Sequence, residues 1–151
     1  VLRHMPATPE QRAAYLRMAA QKRRDEGDAN GETNGAKPDD AEEAAEEVTL
    51  SPERFAELEA AEEFILTVTE KGFGKRTSAY EYRLTNRGGQ GIIGIGFDES
   101  GWRTGREVVA TMAVRPGDDV MLVTDGGILI RTGSDQVRVT GRGAMGVRLL
   151  R

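Results

Sequence analysis

The sequence predicts an all-β fold of repeated four-stranded blades, preceded by a helical and acidic insertion, and three observations carry that expectation. The chain repeats itself at a fixed offset of 55 residues without a gap, setting Thr69 on Thr124, Gly72 on Gly127, Arg76 on Arg131, Arg83 on Arg138 and Arg87 on Arg142. Around these identities the apolar positions match as well: Ile65 with Val120, Val68 with Val123, Leu84 with Val139 and Ile92 with Val147. Within each copy, short β-rich runs are cut by glycine turns, as a chain of small antiparallel strands requires. Self-similarity at one offset marks a repeat architecture in which each unit buries its apolar face on the next, and a four-stranded unit near the period of propeller blades favours a propeller-like array.

The elements follow in order. Val1 and Leu2 open in mid-strand, so residues 1–5 read as the end of a strand of a preceding blade, and the chain reads as a fragment. Residues 6–62 read as an insertion. Thr8-Pro9-Glu10-Gln11 is a capping box with proline at the first helical position, which predicts a helix from Pro9 that ends on Lys22, Arg23 and Arg24, where cations meet the negative end of the dipole. From Asp25 to Glu47 the composition turns to Asp, Glu, Ala, Asn and Gly, too poor in apolar area to offset ordering, and predicts a disordered acidic linker. Ser51-Pro52-Glu53 starts a second, short helix with Phe55 and Leu58 on one edge, expected to pack on the first repeat.

The first blade is expected over residues 63–118, with strands at Phe64 to Thr69, from Gly72 to about Leu84, at Ile92 to Phe97, and at Glu107 to Val114. A polar hairpin, Asp98 to Arg106, carries the single tryptophan, Trp102. Pro116-Gly117-Asp118-Asp119 turns the chain into a second, truncated blade over residues 119–151, with strands at Val120 to Thr124, Ile128 to Val139 and Val147 to Leu150. The residues expected in the core are Ile65, Leu66, Val68, Leu84, Ile92, Ile95, Val120, Leu122, Val139, Val147 and Leu150.

Composition excludes several functions. The absence of cysteine removes disulfides and thiolate metal sites and suits a cytoplasmic protein. No apolar run approaches the roughly 18 residues of a membrane span. His4 is the single histidine and has no co-ligand, so no metal site and no Ser-His-Asp set is expected. Gly74-Lys75 lacks the upstream glycine and the following Ser/Thr of a Walker loop, and Gly94-Ile95-Gly96 lacks the third glycine of the dinucleotide fingerprint. No catalytic constellation remains.

The net charge of -4 hides a split: +5 over residues 1–24, -13 over residues 25–63 and +4 over residues 64–151. The triplet Arg76, Arg83, Arg87 recurs as Arg131, Arg138, Arg142. A guanidinium forks onto phosphate oxygens, so a repeated arginine pattern can track a regularly charged backbone. These six and Lys75 are the candidate residues for contact with a phosphate backbone. Residues seven apart alternate faces on a strand, so a bend near Ser78 or Gly133 is required for the triplet to share a rim. The competing reading is that the arginines brace neighbouring blades through carboxylates such as Glu81 or Asp135, in a propeller that binds protein.

The runs EKGFGKRTSAYEYRLTNRGGQGI, DDVMLVTDGGILIRT and VTGRGAMGV resemble the C-terminal domain of the A subunit of DNA gyrase over about Glu63 to Arg151, with the related domain of topoisomerase IV as the near alternative. The resemblance implies a β-pinwheel whose basic perimeter wraps double-stranded DNA, within a bacterial type IIA topoisomerase that introduces negative supercoils. It further implies partnership with the B subunit plus the remainder of the A subunit, with ATP and Mg on other domains, and no cofactor here. The family's wrapping box, Gln-Arg-Arg-Gly-Gly-Lys-Gly, has only a degenerate relative in Asn86-Arg87-Gly88-Gly89-Gln90-Gly91, and none of Tyr15, Tyr80 and Tyr82 sits in the motif of its DNA-cleaving tyrosine.

Overall fold

A computed structural model describes residues 7–26, 48–83, 85 and 87–150. Residues 1–5, the greater part of the acidic linker and Leu84 therefore lie outside the described residues. Helix α1 spans Pro9–Asp25 and helix α2 spans Pro52–Ala60. The capping box forms as expected: the Gln11 amide donates to the Thr8 hydroxyl at 3.2 Å and the Thr8 amide to the Gln11 side chain at 3.4 Å. The Ser51 hydroxyl caps α2 by accepting from the Arg54 amide.

Six strands follow: β1 (Phe64–Thr69), β2 (Phe73–Ser78), β3 (Val108–Val114), β4 (Asp119–Val123), β5 (Leu129–Gly133) and β6 (Val147–Arg148). They form an antiparallel sheet in the order β3-β1-β2-β6 and a separate hairpin β4-β5. The fourth strand of the first sheet thus comes from the second copy of the repeat. Val147 pairs with Gly74 and Arg148 with Phe73. A parallel bridge joins Arg76 to Val139, in which the Arg76 amide donates to the Arg138 carbonyl at 3.2 Å and the Thr140 amide to the Arg76 carbonyl at 2.9 Å.

This exchange corrects the expected strand at Ile92 to Phe97. That segment has no regular strand structure, and Ile93 is 70% exposed. Its equivalent in the second copy is β6, which is a strand because β2 is there to pair with it. Ile92 and Ile93 have no such partner strand among the described residues; the segment is held instead by isolated bonds, the Ile93 carbonyl accepting from the Arg142 guanidinium and the Gly96 amide donating to the Ala144 carbonyl. The long second strands are also shorter than expected. Both give way to a 3₁₀ turn, at Ala79–Glu81 and at Ser134–Gln136, so the bend falls beside Ser78 and Gly133.

Leu66, Val68, Val114, Val120, Leu122 and Val137 pack between the sheets, and β4 reads as a clean alternation with Val120 and Leu122 inward. Ile65 and Ile95 are buried as well, whereas Ile92, Val139 and Leu150 are half-buried and Val147 is 40% exposed. Val147 lies on the outer edge of the sheet, with β2 on one side of β6 only. Gly72, at φ 71°, turns β1 into β2; a Cβ there would meet the Leu150 side chain at 2.7 Å, so the second copy closes directly over the first turn.

A second cluster joins the insertion to the blade. Ala14, Tyr15 and Ala19 of α1 pack on Leu50 and Leu58, with Tyr80 of the 3₁₀ turn against them. The Tyr15 ring meets Tyr80 edge-on at 5.2 Å, and its hydroxyl donates to Glu62 at 2.8 Å. Arg23 reaches the same carboxylate at 3.2 Å, and the Tyr80 hydroxyl donates to the Leu58 carbonyl at 3.0 Å. Both helices are therefore anchored on the first repeat, as expected for α2.

Candidate nucleic-acid interface

The repeat makes the two arginine triplets look equivalent, but the structure treats them differently because the second copy leans on the first. Lys75 on β2 is 0% exposed. Its ammonium donates to the Gly141 carbonyl at 3.0 Å and to the Arg142 carbonyl, and burial pulls it down to about 8. A group so enclosed presents no donor to a DNA backbone. It holds the Gly141 to Gly146 loop of the second copy instead, which corrects its placement among the DNA-facing cations. The clamp is tight elsewhere too: a Cβ on Gly146 would sit 2.4 Å from the Gly74 carbonyl oxygen.

Arg142 belongs to this clamp. Its residue is 7% exposed, and its guanidinium donates to the Ile93 carbonyl at 2.8 Å. Arg76 is also committed to structure: its side chain is 11% exposed, pairs with Asp135 at 2.9 Å and lies over the Phe64 ring at 4.9 Å. Asp135 is further fixed by the Gly117 amide, and these two donors hold its carboxyl below the usual range. The bracing role foreseen for Asp135 is therefore real at Arg76.

Three candidates face solvent. Arg83 and Arg87 are exposed beyond the 3₁₀ turn, and no heavy atom lies within 4 Å of a Cβ built on Gly88 or Gly91, so that loop stands open. Its counterpart in the second copy is covered by Lys75 and Ile93, and no earlier copy covers Arg87 among the described residues. Arg131 is exposed on β5 with its Nε donating to Asp119 across the hairpin at 3.0 Å. Arg138 is half-buried beside Arg76 in a cavity between the sheets and α1.

Sequence reasoning passed over Lys71, Arg103, Arg106, Arg115 and Arg148, all exposed on the blades. They lie outside the arginine pattern shared by the two copies, so the repeat gave no signal for them. Arg103 and Arg106 sit on the turn at Asp98 to Arg106. Its Asp98 carboxylate accepts from the Ser100 hydroxyl at 2.6 Å and from the Thr104 amide at 2.9 Å, which holds it far below the usual carboxylate range. Trp102 stands 77% exposed on the same turn.

Among the described residues no group of three or more His, Asp or Glu side chains could hold a metal ion, and no helix is long and apolar enough to cross a membrane.

A family model described as DNA gyrase C-terminal domain, beta-propeller, matches residues 63–105 and 118–151. The A subunit of DNA gyrase from Granulibacter bethesdensis is 58% identical over 155 residues, which take in the whole of this chain and 16% of that protein. The A subunit of DNA gyrase from Rickettsia bellii is 46% identical over 151 residues, again the whole chain and 15% of the relative. The chain therefore spans about a sixth of these relatives' length, and the similarity runs through the two helices and the acidic segment. A solved structure of the DNA gyrase A C-terminal domain superposes with a TM-score of 0.53 at 30% identity, over 58% of this chain and 29% of that one. The C-terminal domain of DNA topoisomerase IV superposes equally, at 0.53, with 17% identity, a likeness of fold alone. The family match and the superposed fold agree, and the chain belongs to the DNA gyrase C-terminal domain family, with a β-propeller fold of the pinwheel type.

Proposed function

We propose that this chain binds and wraps double-stranded DNA as a non-catalytic part of the A subunit of DNA gyrase. It would work beside the B subunit in the bacterial cytoplasm, joined to the rest of its own polypeptide. In this reading the whole enzyme introduces negative supercoils with ATP and Mg held on other domains, and the blades supply only the track on which the duplex bends. The observation that carries the proposal is the open glycine loop with Arg87 beside exposed Arg83, in a chain of this family. Arginines without base-edge geometry neutralise phosphates, position the duplex and read no sequence. Gyrase is preferred to topoisomerase IV because the gyrase relatives extend over the whole chain.

A rival reading, a propeller that binds protein, draws support from the pairing of Arg76 with Asp135 and Arg131 with Asp119, which removes cations from a DNA surface. A salt titration separates the two. If Arg83, Arg87 and Arg131 each neutralise one phosphate, log K should fall with log salt at a slope of about -3 for any duplex of the same length. Salt-insensitive binding, or no binding to duplexes of unrelated sequence, would overturn the DNA reading.

A further inference from the structure

A cavity of about 420 Å³ opens between the last turn of α1 and the two sheets, lined by Arg23, Glu26, Phe64, Arg76, Asp135 and Arg138 among others. Two of its cations are already matched, Arg23 by Glu62 and Arg76 by Asp135. Arg138 has no carboxylate partner among the described residues. Its Nε and one terminal nitrogen are buried without a hydrogen-bond partner, and the Arg76 Nε is in the same condition. The backbone beneath them is pinned, since the Arg76 amide donates to the Arg138 carbonyl and Val137 is 1% exposed.

Three guanidinium donors beside one cavity are buried without partners, and a buried donor left unmade is costly, the more so when charged. A carboxylate offers two oxygens, enough for the Arg138 fork alone. A phosphoryl group offers a third, which matches the remaining donor on Arg76, and its charge suits a guanidinium without a carboxylate partner among the described residues. We propose that this cavity, formed jointly by the inserted helix and both repeats, is a binding site for a phosphoryl group. Its sources are a small free phosphate compound or one phosphate of a nucleic-acid backbone. The site is separate from the exposed loop: its failure would leave salt-dependent duplex binding through Arg83 and Arg87 untouched.

The test follows the arginine Nε–H resonances of the full 151-residue chain by NMR during titration with pyrophosphate, at ionic strength held constant with chloride. The expected result is a saturable shift of the Arg138 and Arg76 signals, with affinity reduced about 10-fold in Arg138→Gln and less in Arg138→Lys, which keeps the charge and loses the fork. Adding duplex DNA then identifies the source. Displacement of pyrophosphate assigns the site to a backbone phosphate, and undisturbed pyrophosphate assigns it to a free compound. The proposal is overturned by the absence of a saturable shift, or by unchanged affinity in folded Arg138→Gln. Should that variant not fold, unchanged affinity in Arg138→Lys has the same force.

Discussion

Burying the Lys75 ammonium should leave a signature in the pH dependence of stability. The residue is fully enclosed, and its two carbonyl partners do not fully replace water, so burial depresses it from 10.5 to about 8, with Arg142 nearby acting in the same direction and Glu81 against both. Between these values the folded chain has lost the proton and the unfolded chain still carries it. The unfolded state then binds more protons, and stability rises with pH through that window. The slope approaches about 1.4 kcal/mol per pH unit between pH 8 and pH 10. Above pH 10 the buried tyrosines act in the opposite sense. Tyr15, Tyr80 and Tyr82 are all held up chiefly by burial, so they stay protonated in the fold after the unfolded chain has ionised them. Lys75→Met removes the charge and leaves the Gly141 and Arg142 carbonyls without that donor, so its net effect at neutral pH combines two opposed terms. The slope does not. Urea unfolding at pH 8, 9 and 10 should show stability rising in the native sequence and not rising in Lys75→Met. Parallel pH profiles for the two proteins would refute the assignment of a buried, depressed lysine.

Three further outcomes follow from the same contacts. Gly146→Ala forces a Cβ to 2.4 Å from the Gly74 carbonyl at φ 82° and should cost at least about 2 kcal/mol, whereas Gly127→Ala, at φ 81° in open space, should cost about 1 kcal/mol; thermal unfolding distinguishes them. Tyr15→Phe leaves Glu62 with Arg23 alone and should lower stability by about 1–2 kcal/mol without altering duplex affinity, as denaturant unfolding and a binding isotherm would register. Deleting residues 27–47, whose net charge is -7, should tighten duplex binding at low salt and change little above about 0.1 M, where exposed charges are screened beyond about 10 Å; equal affinities at low salt would make the segment a spacer.

Much of the fold is legible because repeat, turn and cap signals are local. Thr8-Pro9 and Ser51-Pro52 start the helices where their chemistry places them, and the period-two pattern of Val120 and Leu122 settles the inward face of β4. The exchange of β6 onto β2 is not local, so Ile92 to Phe97 and Val147 to Leu150 look alike in sequence while only the second finds a partner strand. The cation site was half legible for the same reason. A one-dimensional repeat marks Arg87 and Arg142 as equals, and only the packing of one copy on the other buries Arg142 and leaves Arg87 open. Lys75 misleads most, since its equivalent in the second copy is Ile130, an apolar residue that already hints at a buried position.

The central claim is that exposure, not membership of the repeat, decides which cations meet DNA. Its most direct measurement is the salt slope of duplex binding for single variants, each paired with its melting temperature. Arg83→Ala and Arg87→Ala should each flatten the slope by about 0.9 at an unchanged melting temperature, while Arg142→Ala should lower the melting temperature and leave the slope as it was. A flattened slope for Arg142→Ala with native stability, or an unaltered slope for Arg83→Ala and Arg87→Ala together, would contradict the account.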